Sequence, residues 1–242
     1  MSIDNQAQNG ANDEGDNLSD FDLRDIDEIG DNHVSTCVET PMIDDAHRIS
    51  DEEKIERISQ NVRQIMATLG LDLNDDSLNG TPRRVAKMYV EEVFSGLNPK
   101  NKPEVRLFEN TYGYNEMLVE KDISVYSYCE HHLVPIVGRA HVAYIPQNKV
   151  IGLSKINRMV RYYARRPQVQ ERLTMQVARE FRDLLDTEDV AVIIDAHHMC
   201  VSSRGIEDTK SSTVTAKFYG RFKNLETRSE LLRYIGANNQ AH

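Results

Sequence analysis

The hydrophobic period of this chain changes along its length, and the order of those changes restricts its fold more than any other feature. In "SDEEKIERISQNVRQIMATLG", Ile55, Ile58, Val62, Ile65, Met66 and Leu69 recur at helical spacing, with Ser50 and Glu53 as a capping box and Gly70 as a stop. A second helical run, "TPRRVAKMYVEEVFSGL", takes Thr81 as its N-cap and Pro82 at the first helical position, and turns Val85, Met88, Tyr89 and Phe94 inward. From about residue 105 to about 153 the period becomes two, in "VRLFEN", "MLVEKDISVYSY" and "GRAHVAYIP", which predicts antiparallel strands. The helical period returns in "SKINRMVRYYARR", is broken by Pro167, and resumes in "QVQERLTMQVAREFRDLL". A strand pair, "DVAVIIDAHHMCVSS" and "STVTAKFYGRF", and a short C-terminal helix complete the chain. Two helices, strands, two longer helices and more strands, without an internal repeat, predict one α+β domain over about 50–242.

Charge marks where that domain begins. The first 50 residues carry 13 Asp and Glu against two Arg, so the other 192 hold 27 basic and 26 acidic side chains, and the overall charge of −10 belongs to the tail. Residues 1–49 are rich in Asp, Asn and Gly, show no sustained period and have too little apolar surface to offset ordering entropy, which predicts a disordered acidic tail. Such a tail serves either as a solubilising arm or as a regulatory one. A domain of net charge near +1 lacks the broad basic surface that tracks nucleic acid. No apolar run is long enough for a membrane span and no signal-peptide layout opens the chain, so a cytosolic protein is expected. In that reducing compartment Cys129 and Cys200 stay free for metal or chemistry.

"SYCEHHLVP" raises the chemical question. Pro135 and the end of the alternation predict a turn, where residues three apart converge, so Cys129 and His132 can hold one ion while His131 aims elsewhere. Along "DVAVIIDAHHMC", strand parity puts Val192, Ile194, Ala196, His198 and Cys200 on one face and His197 on the other. Cys129, His132 and Cys200 together give two thiolates and an imidazole, a set suited to zinc, with the fourth position left to water. Spacing alone also permits inert buried side chains, or a closed structural zinc that recruits His131 or His198.

Lys155, Arg158, Arg161, Arg165 and Arg166 crowd a stretch free of acidic residues. They form either a solvated helix face or, with Ser154 as N-cap, a phosphate site at a helix N-terminus, with Arg204 as a further cation from the strand side. Glu171 sits in the first turn of the next helix, where the dipole favours a carboxylate in any case. A carboxylate there also matches the paired N–H donors of a guanine edge.

"CEHH", "GLSKINR", "RRPQVQERL" and "CVSSRGI", in this order, resemble the signature of the GTP cyclohydrolase I family, zinc-dependent type. The similarity extends from "TPRRVAKMY" through "YGRF" into the last helix. It implies a tunnelling fold, or T-fold: an antiparallel sheet with two long helices on one side, over about 105–235, preceded by a helical pair over about 50–97. It implies hydrolysis of GTP at C8, release of formate and rearrangement to 7,8-dihydroneopterin triphosphate, the first step of pterin and tetrahydrofolate biosynthesis. Carried over by position, Cys129, His132 and Cys200 match the zinc ligands, His198 the catalytic acid/base, and His131 a second active-site histidine. Glu171 matches the guanine anchor, and Ser154, Lys155, Arg158 and Arg204 the triphosphate contacts, with Arg84 as an addition. A homodecamer with sites at subunit interfaces is implied as well. Two other classes compete. A zinc nucleobase deaminase would need H-x-E and P-C-x-x-C, which this chain lacks. A purine- or pterin-binding module would keep fold and metal but would have no use for two extra histidines beside the ion.

Overall fold

The computed structural model describes residues 37–236, so the expected disorder of residues 1–36 lies outside the described residues. Helix α1, Asp51–Thr68, begins where Ser50 Oγ accepts the Glu53 N–H at 3.2 Å, and it buries Ile55 and Met66. The reciprocal half of the expected capping box is absent among the described contacts, because Glu53 pairs with Arg57 instead. Helix α2, Thr81–Lys87, runs on as a π-helical turn, Met88–Val93. Its N-cap is Gly80 rather than Thr81, whose hydroxyl accepts from Arg84. Pro82 explains the early start, since its fixed φ suits a first turn whose N–H groups need no partner.

The main sheet is five-stranded, in the order β5, β2, β3, β6, β7. Its strands are β2 (Leu118–Cys129), β3 (Pro135–Tyr144), β5 (Pro167–Gln168), β6 (Val190–His198) and β7 (Thr213–Phe218). All neighbours are antiparallel except β5, which pairs in parallel with the end of β2 through Tyr128 and Cys129. A separate antiparallel pair joins β1 (Leu107–Glu109) to β4 (Lys149–Ile151).

Two long helices, α3 (Leu153–Ala164) and α4 (Gln170–Leu185), cover one face of the sheet, as expected. Alternation along β2 sends Ile123, Val125, Ser127 and Cys129 into this interface. They join Ile156, Met159 and Val160 of α3 and Leu173, Val177 and Phe181 of α4 in one core, all nearly free of solvent contact. Each large aliphatic side chain so buried contributes about 1.5–3 kcal/mol. The other face carries a smaller cluster in which Ala143, Ile145, Ala191 and Ile193 meet Phe222 and Leu231, the last from helix α6 (Leu225–Gly236).

Residues 37–40, read as part of the tail, lie against α4: the Cys37 and Val38 carbonyls accept from Arg172 and Gln176, and Glu39 pairs with Arg179. Backbone acceptors provide these contacts, and composition is blind to them.

Candidate metal and substrate site

The connection between β2 and β3 is a tight turn. The Cys129 N–H donates to the Val134 carbonyl and the Leu133 N–H donates back to the Cys129 carbonyl, both at 2.9 Å. Leu133 completes it in the left-handed region, φ 51°, at a cost of about 1–2 kcal/mol for a residue with a Cβ. Cys129 and His132 converge as the spacing predicts, and His131 is turned so that its Nδ1 lies 3.8 Å from Cys129 Sγ.

Cys200 arrives by a different route from the one expected. Strand β6 does not continue through it but stops at His198, and Met199–Ser202 coils into a single helical turn, α5. The pairing of β3 with β6 ends at Ile136 and His198, and the next residue of β3 is Pro135, which has no N–H to extend the ladder. From that coil Cys200 meets the turn: the ligand atoms of Cys129, His132 and Cys200 all lie within 4.8 Å of one another. A tetrahedral zinc with Zn–S of about 2.3 Å holds two sulfurs about 3.8 Å apart, so the donor set fits such an ion. Burial, and then the Cys129 sulfur beside it, push the Cys200 thiol up, while Arg204 works in the opposite direction. A cation between the sulfurs would remove that conflict.

His198 is held by a residue that the sequence did not disclose. Gln170, buried at the start of α4, donates its amide N–H groups to the Ile194 carbonyl at 3.0 Å, the Thr213 carbonyl at 2.8 Å and Thr215 Oγ1 at 3.1 Å. Its Oε1 therefore faces His198 Nε2 at 2.8 Å and must accept, which places the His198 proton on Nε2 and leaves Nδ1 as the basic nitrogen. Burial lowers the His198 pKa, and Glu171 nearby acts against it. Glu171 itself stands exposed in the first turn of α4. The metal turn, both histidines, Glu171 and Arg204 thus gather around the ends of β2, β6 and α4.

Three of the expected triphosphate residues, Ser154, Lys155 and Arg158, lie together in the first half of α3. Gly152, not Ser154, is the N-cap of α3, and Ser154 lies inside the helix. The extended backbone of Gly152, ψ 131°, already makes the transition into the helix. The side chains of Ser154, Lys155 and Arg158 have no hydrogen-bond or ion-pair partner among the described residues. Arg158 opens with Arg161 and Arg165 onto a cleft of about 340 Å³. Arg166 is structural instead: its guanidinium lies over the Tyr162 and Tyr163 rings and donates to the Gly96 carbonyl at 2.9 Å. Arg84 is a third, separate position, donating to the Ser77 carbonyl and Thr81 Oγ1. No hydrogen bond or ion pair among the described residues joins Arg84 or the α3 group to the Cys129 turn.

The family model for GTP cyclohydrolase I matches residues 58–236. A GTP cyclohydrolase 1 from Flavobacterium johnsoniae is 60% identical over 215 residues, which cover 89% of this chain and 96% of that one. Proteins of the same name from Vibrio vulnificus and Shewanella amazonensis are 54% and 55% identical, each over 81% of this chain and 89% and 90% of theirs. Among solved structures, an archaeosine synthase QueF-Like in the apo form aligns with a TM-score of 0.37 and 16% identity, over 43% of this chain and 93% of that chain. The antiparallel sheet backed by two long helices is consistent with the tunnelling fold. With a family model spanning nearly all the described residues and this identity over almost its whole length, the chain belongs to the GTP cyclohydrolase I family.

Proposed function

We infer that the protein is a GTP cyclohydrolase: it hydrolyses GTP at C8, releases formate and forms 7,8-dihydroneopterin triphosphate for pterin and folate biosynthesis. The observation that carries this is the meeting of Cys129, His132 and Cys200, with His198 two residues before Cys200, in a chain of this family. Cys129, His132 and Cys200 would hold zinc, whose Lewis acidity lowers the pKa of water from about 15.7 to about 7. No helix among the described residues is long and apolar enough to cross a membrane, and a reducing cytosol, where we place the enzyme, would keep both thiols free.

The side chains divide the remaining work. Glu171 accepts the N1–H and N2–H donors of guanine, which fixes the base with C8 toward the turn. Water adds across the C8–N7 double bond, and N7 takes a proton as C8 takes the oxygen. His198 is suited to deliver that proton: Gln170 commits its Nε2–H, so protons enter and leave at Nδ1, and burial, by lowering the pKa, makes the imidazolium a stronger acid. His131, beside Cys129, serves the later transfers, when the C8–N9 bond opens, the formyl group is hydrolysed and the ribose rearranges. Ser154, Lys155, Arg158, Arg204 and Arg84 take the triphosphate. No hydrogen bond or ion pair among the described residues ties the α3 group or Arg84 to the Cys129 turn, which is compatible with a site completed between subunits of a homodecamer.

Formate release from GTP by purified protein, stripped of zinc and reconstituted, tests the proposal. Zinc-dependent formate is expected, and Cys200→Ala should lose both metal and turnover. Retention of both by that variant would remove Cys200 from the site. A folded, zinc-loaded protein that binds GTP but yields no formate would replace the enzyme with a purine- or pterin-binding module.

A further inference from the structure

Glu130 stands between Cys129 and His131, and the chemistry above gives it no task. Its carboxylate takes both prongs of the Arg172 guanidinium: Nη1 bonds Oε2, and Nη2 lies 3.3 Å from Oε1. The Arg172 side chain is only 3% exposed. Its Nε–H reaches the Cys37 carbonyl at 2.9 Å. One turn along α4, buried Gln176 donates to the Val38 carbonyl at 2.8 Å and accepts from Gln168 Nε2 at 2.9 Å. Gln168 is the β5 residue paired with Cys129, and its carbonyl accepts the Glu130 N–H at 3.0 Å. Two chains of polar contacts therefore run from residues 37–38 to the same metal turn, one through Arg172 to the Glu130 side chain and one through Gln176 and Gln168 to its backbone.

We propose that Glu130 and Arg172 are positioning residues that lock the metal turn to the start of α4, and that residues 37–40 form a brace holding Arg172 and Gln176 in place. The proposal rests on the reading of this turn as the zinc half-site. A bidentate arginine–carboxylate pair fixes distance and angle together, which a single hydrogen bond cannot do. Such a fixture suits a short turn that already holds Leu133 in a left-handed conformation. Arg172 directly follows Glu171, so the fork that ties it to Glu130 also sets the guanine anchor relative to Cys129 and His132. Burial keeps water from the Arg172 Nε–H, so the brace carbonyl from Cys37 supplies its acceptor. Partners that orient metal ligands typically change metal affinity or activity about 10–100-fold when removed.

The test uses the full-length, zinc-loaded protein and three substitutions: Arg172→Lys, which keeps the charge but loses the fork and the Nε donor, Glu130→Gln, and Glu39→Lys. Measured are the rate of zinc loss to a chelator, KM for GTP against kcat, and the rate of subtilisin cleavage within residues 37–49. Arg172→Lys should release zinc about tenfold faster, raise KM for GTP, and speed that cleavage. Glu130→Gln should speed zinc loss without speeding the cleavage. Glu39→Lys touches no residue of the metal turn but repels Arg179, now 3.1 Å away, so it should loosen residues 38–40 and hasten zinc loss about threefold. Wild-type zinc loss and KM in both Arg172→Lys and Glu130→Gln would overturn the positioning role. Should either fail to fold, Glu39→Lys decides: faster subtilisin cleavage within residues 37–49 with unchanged zinc loss overturns the brace. A wild-type protein that neither holds zinc nor releases formate would instead sink the zinc site itself.

Discussion

Gln170 decides which nitrogen of His198 carries the proton, because three acceptors claim its amide N–H groups and leave only its oxygen to face the ring. Gln170→Leu should therefore lower kcat about 10–100-fold with little change in KM, read from steady-state formate release. A proportional rise in KM would mean that the glutamine serves binding and not the tautomer. The convergence of Cys129, His132 and Cys200 was legible because cysteines are scarce in this chain and the motifs around them are long. Gln170 was not, since an amide at a helix start reads as surface until β6 and β7 are seen to cross it. His141 was equally hidden. It is 8% exposed, and its Nδ1 accepts the N–H of Asp122 at 3.2 Å, a residue at φ 59° in the β2 bulge. Burial lowers its pKa from the ordinary 6.5 despite the opposing carboxylates of Asp122 and Asp195, with Lys121 and Arg139 adding to the fall. The unfolded histidine then binds its proton more tightly than the folded one. Its contribution to stability is complete above pH 6.5 and is lost as pH falls through the window below. His141→Gln keeps an acceptor for Asp122 and removes the titration. Thermal midpoints of the two proteins should converge between about pH 7.5 and about pH 5, and parallel curves would show that His141 does not titrate on unfolding.

Among the elements, the helices declared themselves through their period, and their ends did not. Gly80 and Gly152 cap α2 and α3 where Thr81 and Ser154 were expected, since backbone conformation, which composition does not report, fixes where a helix starts. Strand β6 is the instructive case: its alternation is clear, but its end at His198 depends on what β3 offers opposite. The same pair shows why position 138 is glycine. Gly138 lies opposite Ala196, and a Cβ there would overlap the Asp195 carbonyl oxygen and the Ala196 backbone. Gly138→Ala must push β3 from β6 two residues before His198, at a cost of about 1–3 kcal/mol. A lower thermal midpoint with a matching fall in kcat is expected. An unchanged midpoint would show that the two strands can part without cost, contrary to their close register.

At the scale of the molecule, the sheet has two open sides. The Tyr219 N–H donates to the Val190 carbonyl at 2.8 Å, and the register continues through Phe218 opposite Ala191. Antiparallel alternation then turns Thr213, Thr215 and Lys217 toward β6, and leaves Val214, Ala216 and Phe218 with N–H and C=O groups pointing away from the sheet. On the far side, β5 covers only Tyr128 and Cys129, so the rest of β2 has no strand beside it among the described residues. Val214 and Tyr126, on these two edge strands, are also more than half exposed. Open edges of this kind invite another chain, and a closed ring of sheets removes them all. None of this is visible in the sequence, where β7 and β2 are simply two alternating runs until strand order makes them the borders. The cations of α3 and the cysteine cluster, unconnected within one chain, would meet across such a border. Ten chains of 27.7 kDa would give a particle of about 277 kDa by native mass measurement. Ala216→Pro separates folding from assembly, because proline on an edge strand removes only the outward N–H. The variant should keep its far-UV circular dichroism, sediment as a smaller species and release formate far more slowly. A variant assembly of wild-type size would remove β7 from the contact, and a monomeric wild type with full turnover would place the whole site within one chain.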